Sequence, residues 1–221
     1  LRAEGHEVGL ISTAFIYTDE RLNEVSRCSM PYAGDVFDEL MLTDVVGLPS
    51  SVIIPREVLQ DVGGFDEHLK ACEDYDLWLR IAARYEIFSL NEYLVQYRQR
   101  PSTLSKDPEK MVAANRRVTE MLIAREALDE PTAEAIWASR RRNYAQRHRR
   151  HGYELLKING DACGYRGELA RAHGFDATVV NLKDRLVAAF PRAYRIVQRI
   201  RSHPGLRGQK PTSARRDQHE P

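Results

Sequence analysis

A cluster of acidic residues follows a glycine pair: Gly63-Gly64-Phe65-Asp66-Glu67 precedes Glu73-Asp74-Tyr75-Asp76-Leu77-Trp78-Leu79-Arg80. Glycine accepts the positive φ values that other residues resist, so the chain can reverse there and deliver the carboxylates to a defined point. Glu73 and Asp74 fall at or just before the first turn of a predicted helix, where unpaired N–H groups and the positive dipole end favour the ionised form. A carboxylate fixed in this way, on a helix anchored by Leu77 and Trp78, can take the proton of a hydroxyl as that hydroxyl attacks. The chemistry suggested is general-base catalysis by Asp74. An ordinary reading stands beside it: Asp is a common helix cap, and Asp76 with Arg80 makes an i,i+4 surface pair.

The elements that must position this cluster are legible upstream and downstream. Val8 to Tyr17 reads as a mostly buried strand, with Thr18-Asp19-Glu20 and Asn23-Glu24 as a polar, hairpin-like connection. A short helix spans Val36 to Leu42. Ser50 to Ile54 reads as a second buried strand, Pro55 suits the start of a helix over Arg56 to Val62, and Gly63 closes it. Asp74 to Tyr85 is helical, with Trp78 expected in the core and Phe65 expected to anchor the turn; Glu86 to Leu90 and Tyr93 to Arg98 read as strands. This is an α/β pattern. After a loop at Pro101 to Asp107 the spacing turns helical: one helix through Val118 to Leu128, a long one from Pro131 to about Lys157, a shorter one between Gly160 and Gly174, and a last one over Asn181 to Arg201. The Pro, Gly, Arg and Gln content beyond Ser202 reads as a disordered tail.

With 221 residues, 43% of them hydrophobic, the chain can bury a sizeable core. It holds no apolar run of transmembrane length, and Leu1-Arg2-Ala3-Glu4-Gly5-His6 lacks a leader-like apolar region, so a cytoplasmic protein is expected. Cys28, Cys72 and Cys163 are too widely spaced for a zinc motif or a disulfide framework. The net charge of +1 conceals an asymmetry: residues 1–130 carry 14 Lys/Arg against 24 Asp/Glu, a net −10, and residues 131–221 carry 19 against 8, a net +11. Two regions with different surroundings are implied.

The segments Ser50-Ser51-Val52-Ile53-Ile54-Pro55-Arg56, Val62-Gly63-Gly64-Phe65-Asp66-Glu67, Glu73-Asp74-Tyr75-Asp76-Leu77-Trp78-Leu79-Arg80 and Tyr97-Arg98, in this order, resemble family 2 glycosyltransferases of the GT-A fold over about residues 8–106. The resemblance implies a partial GT-A fold, the acceptor-side half of the enzyme, in residues 1–106. A basic helical extension in 107–201 and a tail in 202–221 follow it. It implies inverting transfer of a single sugar from a nucleotide-sugar donor to a hydroxyl of a glycan or lipid-linked acceptor, as in cell-envelope polysaccharide synthesis. Asp74 would be the base, and Glu73, Tyr75, Asp76 and Gly64 would line the acceptor side.

Members of that family also carry a nucleotide-binding half whose Asp-x-Asp motif holds a divalent cation, Mg2+ or Mn2+, against the donor diphosphate. No such motif precedes Val8, so the sequence is expected to be an N-terminally truncated piece whose activity belongs to the longer protein. Asp74-Tyr75-Asp76 has the same letters but the position of the base motif. Relatives often read Tyr-Arg-x-His where this chain has Tyr97-Arg98-Gln99-Arg100; Arg100 carries donors only and cannot ligate a metal, but Arg98 and Arg100 are candidates for the diphosphate. Gln96-Tyr97-Arg98-Gln99 does not complete the Gln-x-x-Arg-Trp motif of processive relatives.

Arg140-Arg141-Arg142 and Arg147-His148-Arg149-Arg150 share one predicted helix, whose positive charge is expected to cover much of its surface. His148, His151 and His173 suggest no catalytic or metal role. In the last helix Leu182, Leu186, Val187, Phe190, Tyr194 and Val197 can form an apolar stripe beside Lys183, Arg185, Arg192, Arg195, Arg199 and Arg201, with a kink at Pro191. Such a helix suits an anionic membrane surface, placing the protein peripherally at the inner face of the cell membrane. The alternative is a noncatalytic adaptor that binds nucleic acid or another acidic surface, although no nucleic-acid recognition motif accompanies the charge.

Overall fold

The apolar run near the start of the sequence becomes β1 (Val8–Thr18), the strand around which the α/β part is arranged. The computed structural model describes residues 1, 5–100, 107–158 and 160–195. β1 pairs antiparallel with β2 (Glu24–Cys28) and β4 (Val52–Ile53), and parallel with β5 (Glu86–Arg98). β3 (Ala33–Gly34) pairs with β5, giving the order β2-β1-β5-β3 with β4 beside β1. β1 buries side chains on both faces, Leu10 and Ala14 on one and Phe15 on the other, which explains why it is apolar along most of its length rather than alternating.

Parallel strands need a crossover. Here it carries α1 (Phe37–Leu42), α2 (Arg56–Val62) and α3 (Glu73–Ala82). Their apolar faces, including Leu40, Val58, Leu77, Trp78 and Ile81, pack with Leu10 and Ile87 in one core, and Trp78 is fully buried as expected.

Two strand expectations are corrected. Ser50 to Ile54 is not a buried strand: Pro49–Ser51 forms a turn of 3-10 helix, β4 spans only Val52–Ile53, and Ile53 is 73% exposed. The two strands expected at Glu86–Leu90 and Tyr93–Arg98 are a single strand, β5. Its pairing with β1 jumps from Thr13↔Leu90 to Ala14↔Tyr93, so Asn91 and Glu92 form a bulge rather than a turn.

The remainder is helical: α4 (Pro108–Arg125), α5 (Glu130–Ile158), α6 (Ala162–Phe175) and α7 (Leu182–Ala189). Their starts follow from capping chemistry. Asp107 and Asp161 accept backbone N–H groups from Lys110 and Gly164, and Asn181 with Asp184 forms a reciprocal capping box. Val118, Leu122 and Ile136 join the core of the α/β part, so packing is continuous across the junction at 106 and 107. A second core gathers Ala145, Leu156, Tyr165, Leu169, Ala172 and Val187. The last expected helix is interrupted at Phe190 (φ −126°, ψ 60°), and Pro191 starts a fresh helical turn. The loop over 101–106, Val197, Arg199, Arg201 and the tail from 202 lie outside the described residues.

Candidate active site

The turn ahead of the acidic cluster is held by a clasp that the spacing encodes. Gly63 ends α2 at φ 79°, a conformation that disfavours any residue with a Cβ. One turn into α3, Asp76 accepts from Arg80 Nε at 2.9 Å, and the Arg80 guanidinium donates to the carbonyls of Val62 (2.7 Å), Gly63 (3.1 Å) and Gly64 (2.8 Å). Arg80 thereby satisfies carbonyls left open at the C-terminus of α2, where a cation is also favoured by the helix dipole. Arg125 of α4 donates to the second Asp76 oxygen at 3.2 Å.

Several expected roles change accordingly. Asp76 is only 1% exposed, so it is not half of a surface pair, and its carboxylate is turned from any acceptor. Tyr75 is 3% exposed; its hydroxyl donates to the Leu40 carbonyl and accepts from Arg140, which leaves none of its surface for an acceptor. Gly64 serves the clasp through its carbonyl, and Phe65 is exposed rather than anchoring the turn.

Asp74 goes the other way. Cys72, in the left-handed conformation (φ 59°), starts α3 and turns the chain so that Glu73 and Asp74 occupy its first turn, with Asp74 receiving the Tyr75 N–H at 2.7 Å. Asp74 lines a cleft of about 580 Å³. Strand alternation builds the cleft's aromatic floor: Phe15 and Tyr17 from β1 and Tyr97 from β5 share one face, with the rings of Tyr17 and Tyr97 edge to face at 5.6 Å. Asp44 and Gly47 contribute from the loop after α1, and Arg147, Arg150, His151 and Glu154 from α5.

The alternation that brings Tyr97 and Gln99 to the cleft sends Arg98 to the opposite face of β5. Arg100, exposed past the end of the strand, does not line the cleft either. Glu73 is half-buried beside Asp74 and acts on it electrostatically.

The electrostatics also depart from expectation. Burial pushes the Asp74 carboxyl up to about 6, and the nearby charges of Asp44 and Glu73 add to the effect, outweighing the Tyr75 N–H. The first-turn position alone suggested an ordinary carboxylate. Asp44, set among protein atoms although its surface meets the cleft's solvent, is also raised by desolvation, against the Val46 and Gly47 N–H groups that it accepts at 3.0 Å. Across the cleft, desolvation lowers Arg147, and the positive charge of Arg150 contributes.

The basic run of α5 is solvated only in part: Arg141, Arg142 and Arg150 are exposed, whereas Arg140 and His148 are buried. Arg140 is 2% exposed and donates to the carbonyls of Met41 (2.7 Å) and Leu42 (3.2 Å), with its guanidinium 4.9 Å from the Tyr75 ring centre. His148 is 1% exposed and bonds Glu168 at 2.8 Å. Positions 140, 144, 147, 151 and 154 follow one helical stripe; its first part packs on the α/β core and its second becomes a wall of the cleft. That periodicity was the signal that could have found Arg147 and His151 from sequence. Asp44 left no comparable signal.

Among the described residues no group of three or more His, Cys, Asp or Glu side chains converges as a metal would require. The divalent cation implied by the resemblance therefore does not fit these residues, and no step below is routed through it.

No curated protein matches the chain. The sequence profile of the family described as glycosyltransferase like family 2 matches residues 17–134, more than half of the chain. That span runs from the aromatic floor through the glycine turn and the acidic cluster into the start of α5. The chain belongs to the glycosyltransferase-like family 2.

Proposed function

We propose that this chain carries the acceptor side of an inverting transfer of one sugar from a nucleotide-sugar donor to an acceptor hydroxyl, with Asp74 as the general base. The observation that carries the proposal is the placement of the Asp74 carboxylate in an aromatic-floored cleft, its proton affinity raised to about 6. A base poised close to operating pH combines a useful ionised fraction with the strongest pull on the substrate proton. The acceptor hydroxyl enters beside Asp74 and loses its proton to that carboxylate. Its oxygen bonds to the anomeric carbon as the bond from that carbon to the donor diphosphate breaks on the opposite side. The nucleoside diphosphate departs with the bonding electrons, the anomeric configuration inverts, and the proton stays on Asp74 until solvent removes it. Asp74→Asn in the intact protein is expected to lower turnover by about two to four orders of magnitude while donor affinity stays near wild type; wild-type turnover in that variant would defeat the assignment.

The acceptor is proposed to be lipid-linked and met at the inner, cytoplasmic face of the cell membrane. No helix among the described residues is long and apolar enough to cross a membrane. Along α7 and at its C-cap, however, Leu182, Leu186 and Phe190 recur every fourth residue at 72%, 52% and 64% exposure. Exposed Lys183, Arg185 and Arg192 flank them, which matches an anionic lipid surface. The stripe is narrower than the sequence suggests, because Val187 is buried in the second core. A nucleic-acid adaptor finds less support: the basic run on α5 is dispersed, with Arg140 buried, Arg141 paired to Glu134 and Arg149 paired to Asp184.

A further inference from the structure

We propose that the groove between α6 and α7 binds the headgroup phosphate of one anionic phospholipid, held by Arg166 and Arg185 with His173 beside them. The inference rests on the reading of α7 as a membrane contact and adds to it a specific lipid.

The groove follows from helical spacing. Arg166, Leu169, Ala170 and His173 stand at i, i+3, i+4 and i+7 of α6 and so form one stripe, which Arg185 and Ala188 of α7 face. Leu169, Ala170, Val180 and Ala188 give it an apolar lining, while Arg166, His173 and Arg185 are exposed. Its volume of about 280 Å³ falls just below the roughly 300 Å³ at which sites for whole small molecules begin, so a lipid enters it with one part only.

The charge here is one-sided, because every acidic residue on α6, on α7 and at the 3-10 turn Ala177–Val179 between them is engaged elsewhere. Glu168 is 6% exposed and takes His148 and Arg171 at 2.8 Å and His151 at 3.3 Å. Asp184 is fully buried and pairs with Arg149 at 2.8 Å. Asp161 caps the far start of α6 by accepting the Gly164 N–H. Asp176 caps the 3-10 turn by accepting the N–H and hydroxyl of Thr178, and it feels the charges of Arg141 and Arg142 on α5. No carboxylate lines the groove. Arg166 gives one N–H to the Ala188 carbonyl at 3.3 Å, which fixes it over the end of α7 and leaves its other donors for a ligand.

A phosphate suits two guanidinium groups through paired, charge-assisted hydrogen bonds. The surroundings select a lipid as its carrier. Viewed down α7, Arg185 stands about 60° from Leu182, so this cation lies where the exposed stripe of Leu182 and Leu186 borders the groove. With the stripe set into the acyl boundary of a bilayer, the guanidinium groups meet the headgroup level and the apolar lining receives the start of a chain. A free anion would leave both the stripe and the lining unused.

The test uses the full chain with three probes: dihexanoyl phosphatidylglycerol titrated as soluble monomers, vesicles of phosphatidylglycerol with phosphatidylcholine, and inorganic phosphate. Four variants change exposed side chains and should leave the fold intact. Arg185→Lys keeps the charge but removes the fork, Arg185→Gln removes both, and Ala170→Phe fills the groove without altering charge. Lys183→Gln, on the other flank of the stripe, is the control for charge alone. The expectation is that affinity for the short-chain lipid falls about tenfold in Arg185→Lys, at least as far in Arg185→Gln and Ala170→Phe, and not at all in Lys183→Gln. On vesicles Lys183→Gln should lose about fivefold, the share of one surface charge, and the groove variants more. Absence of short-chain lipid binding by the wild type, or wild-type affinity in folded Arg185→Gln and Ala170→Phe, overturns the proposal. Inorganic phosphate bound as tightly as the lipid, with the same loss in Arg185→Gln, identifies a free-anion site and overturns it as well. The membrane reading is judged separately: vesicle sedimentation that persists in these cases and disappears when Leu182, Leu186 and Phe190 are replaced leaves it standing.

Discussion

Asp74 and Asp76 lie two positions apart in the first turn of α3 and face opposite fates: one carboxylate lines the cleft, and the other is clamped between Arg80 and Arg125. The helix rotates by about 200° over two residues, which is enough to separate a cleft-lining group from a structural one. Their substitutions are therefore expected to fail in different ways.

Asp76→Asn leaves two guanidinium groups facing a neutral side chain in a site that is 1% exposed. Breaking a buried pair in this way costs about 3 kcal/mol. Chemical denaturation should show that loss. The protein that remains folded should keep its turnover, and a variant as stable as wild type would disprove the clasp.

For Asp74→Asn the stability change is expected to have the opposite sign. Folded Asp74 binds its proton with a pKa of about 6 against an ordinary value of 3.8, so ionisation opposes folding. Below pH 3.8 both states hold the proton and the penalty vanishes; it grows as pH rises through 6 and is full above that. At pH 8 the Asn variant should be more stable by about 2 kcal/mol, with the gap closing towards pH 4. Melting curves at the two pH values decide it.

The wild-type profile of kcat/KM should carry an acid limb near pH 6, below which activity falls tenfold per pH unit as the base is protonated. A profile flat down to pH 4.5 would mean that another group takes the acceptor proton.

Much of this fold was legible in residue patterns, and the exceptions share a cause. β1, its polar hairpin, α1 to α4 and the Gly63 turn follow from periodicity, capping and backbone freedom, all of which are local. Ser50 to Ile54 misled because a short apolar run reads alike whether buried or on an edge. Asn91 and Glu92 look like a turn and are a bulge, since only the partner strand reveals which. Arg140 reads as solvated because its partners, the Met41 and Leu42 carbonyls, stand 99 and 98 residues away. Within the site, Asp74 could be picked out by its motif, but which way Tyr75, Asp76 and Arg98 face depends on neighbours that spacing does not show.

Arg140→Met should test how firmly α5 is attached. The substitution keeps much of the side-chain volume but removes donors to two carbonyls and the Tyr75 hydroxyl, for a loss of about 3 kcal/mol. Denaturation midpoints read it, and an unchanged midpoint would show the contacts to be dispensable.

For the lipid surface, replacing Leu182, Leu186 and Phe190 by Ser should abolish sedimentation with vesicles rich in phosphatidylglycerol and leave the melting temperature unaltered, because all three side chains are exposed. Undiminished sedimentation would rule out α7 as the contact.

The two walls of the cleft come from distant stretches of chain, Asp44 and Asp74 early and Arg147 to His151 late. On the ribosome the acidic residues of the cleft are translated long before the basic ones, so a nascent chain carries the Asp74 carboxylate without the rest of the cleft. The cleft is complete only when the long helix has emerged and docked, so a ligand that needs both stretches can meet only polypeptides whose synthesis has passed that point.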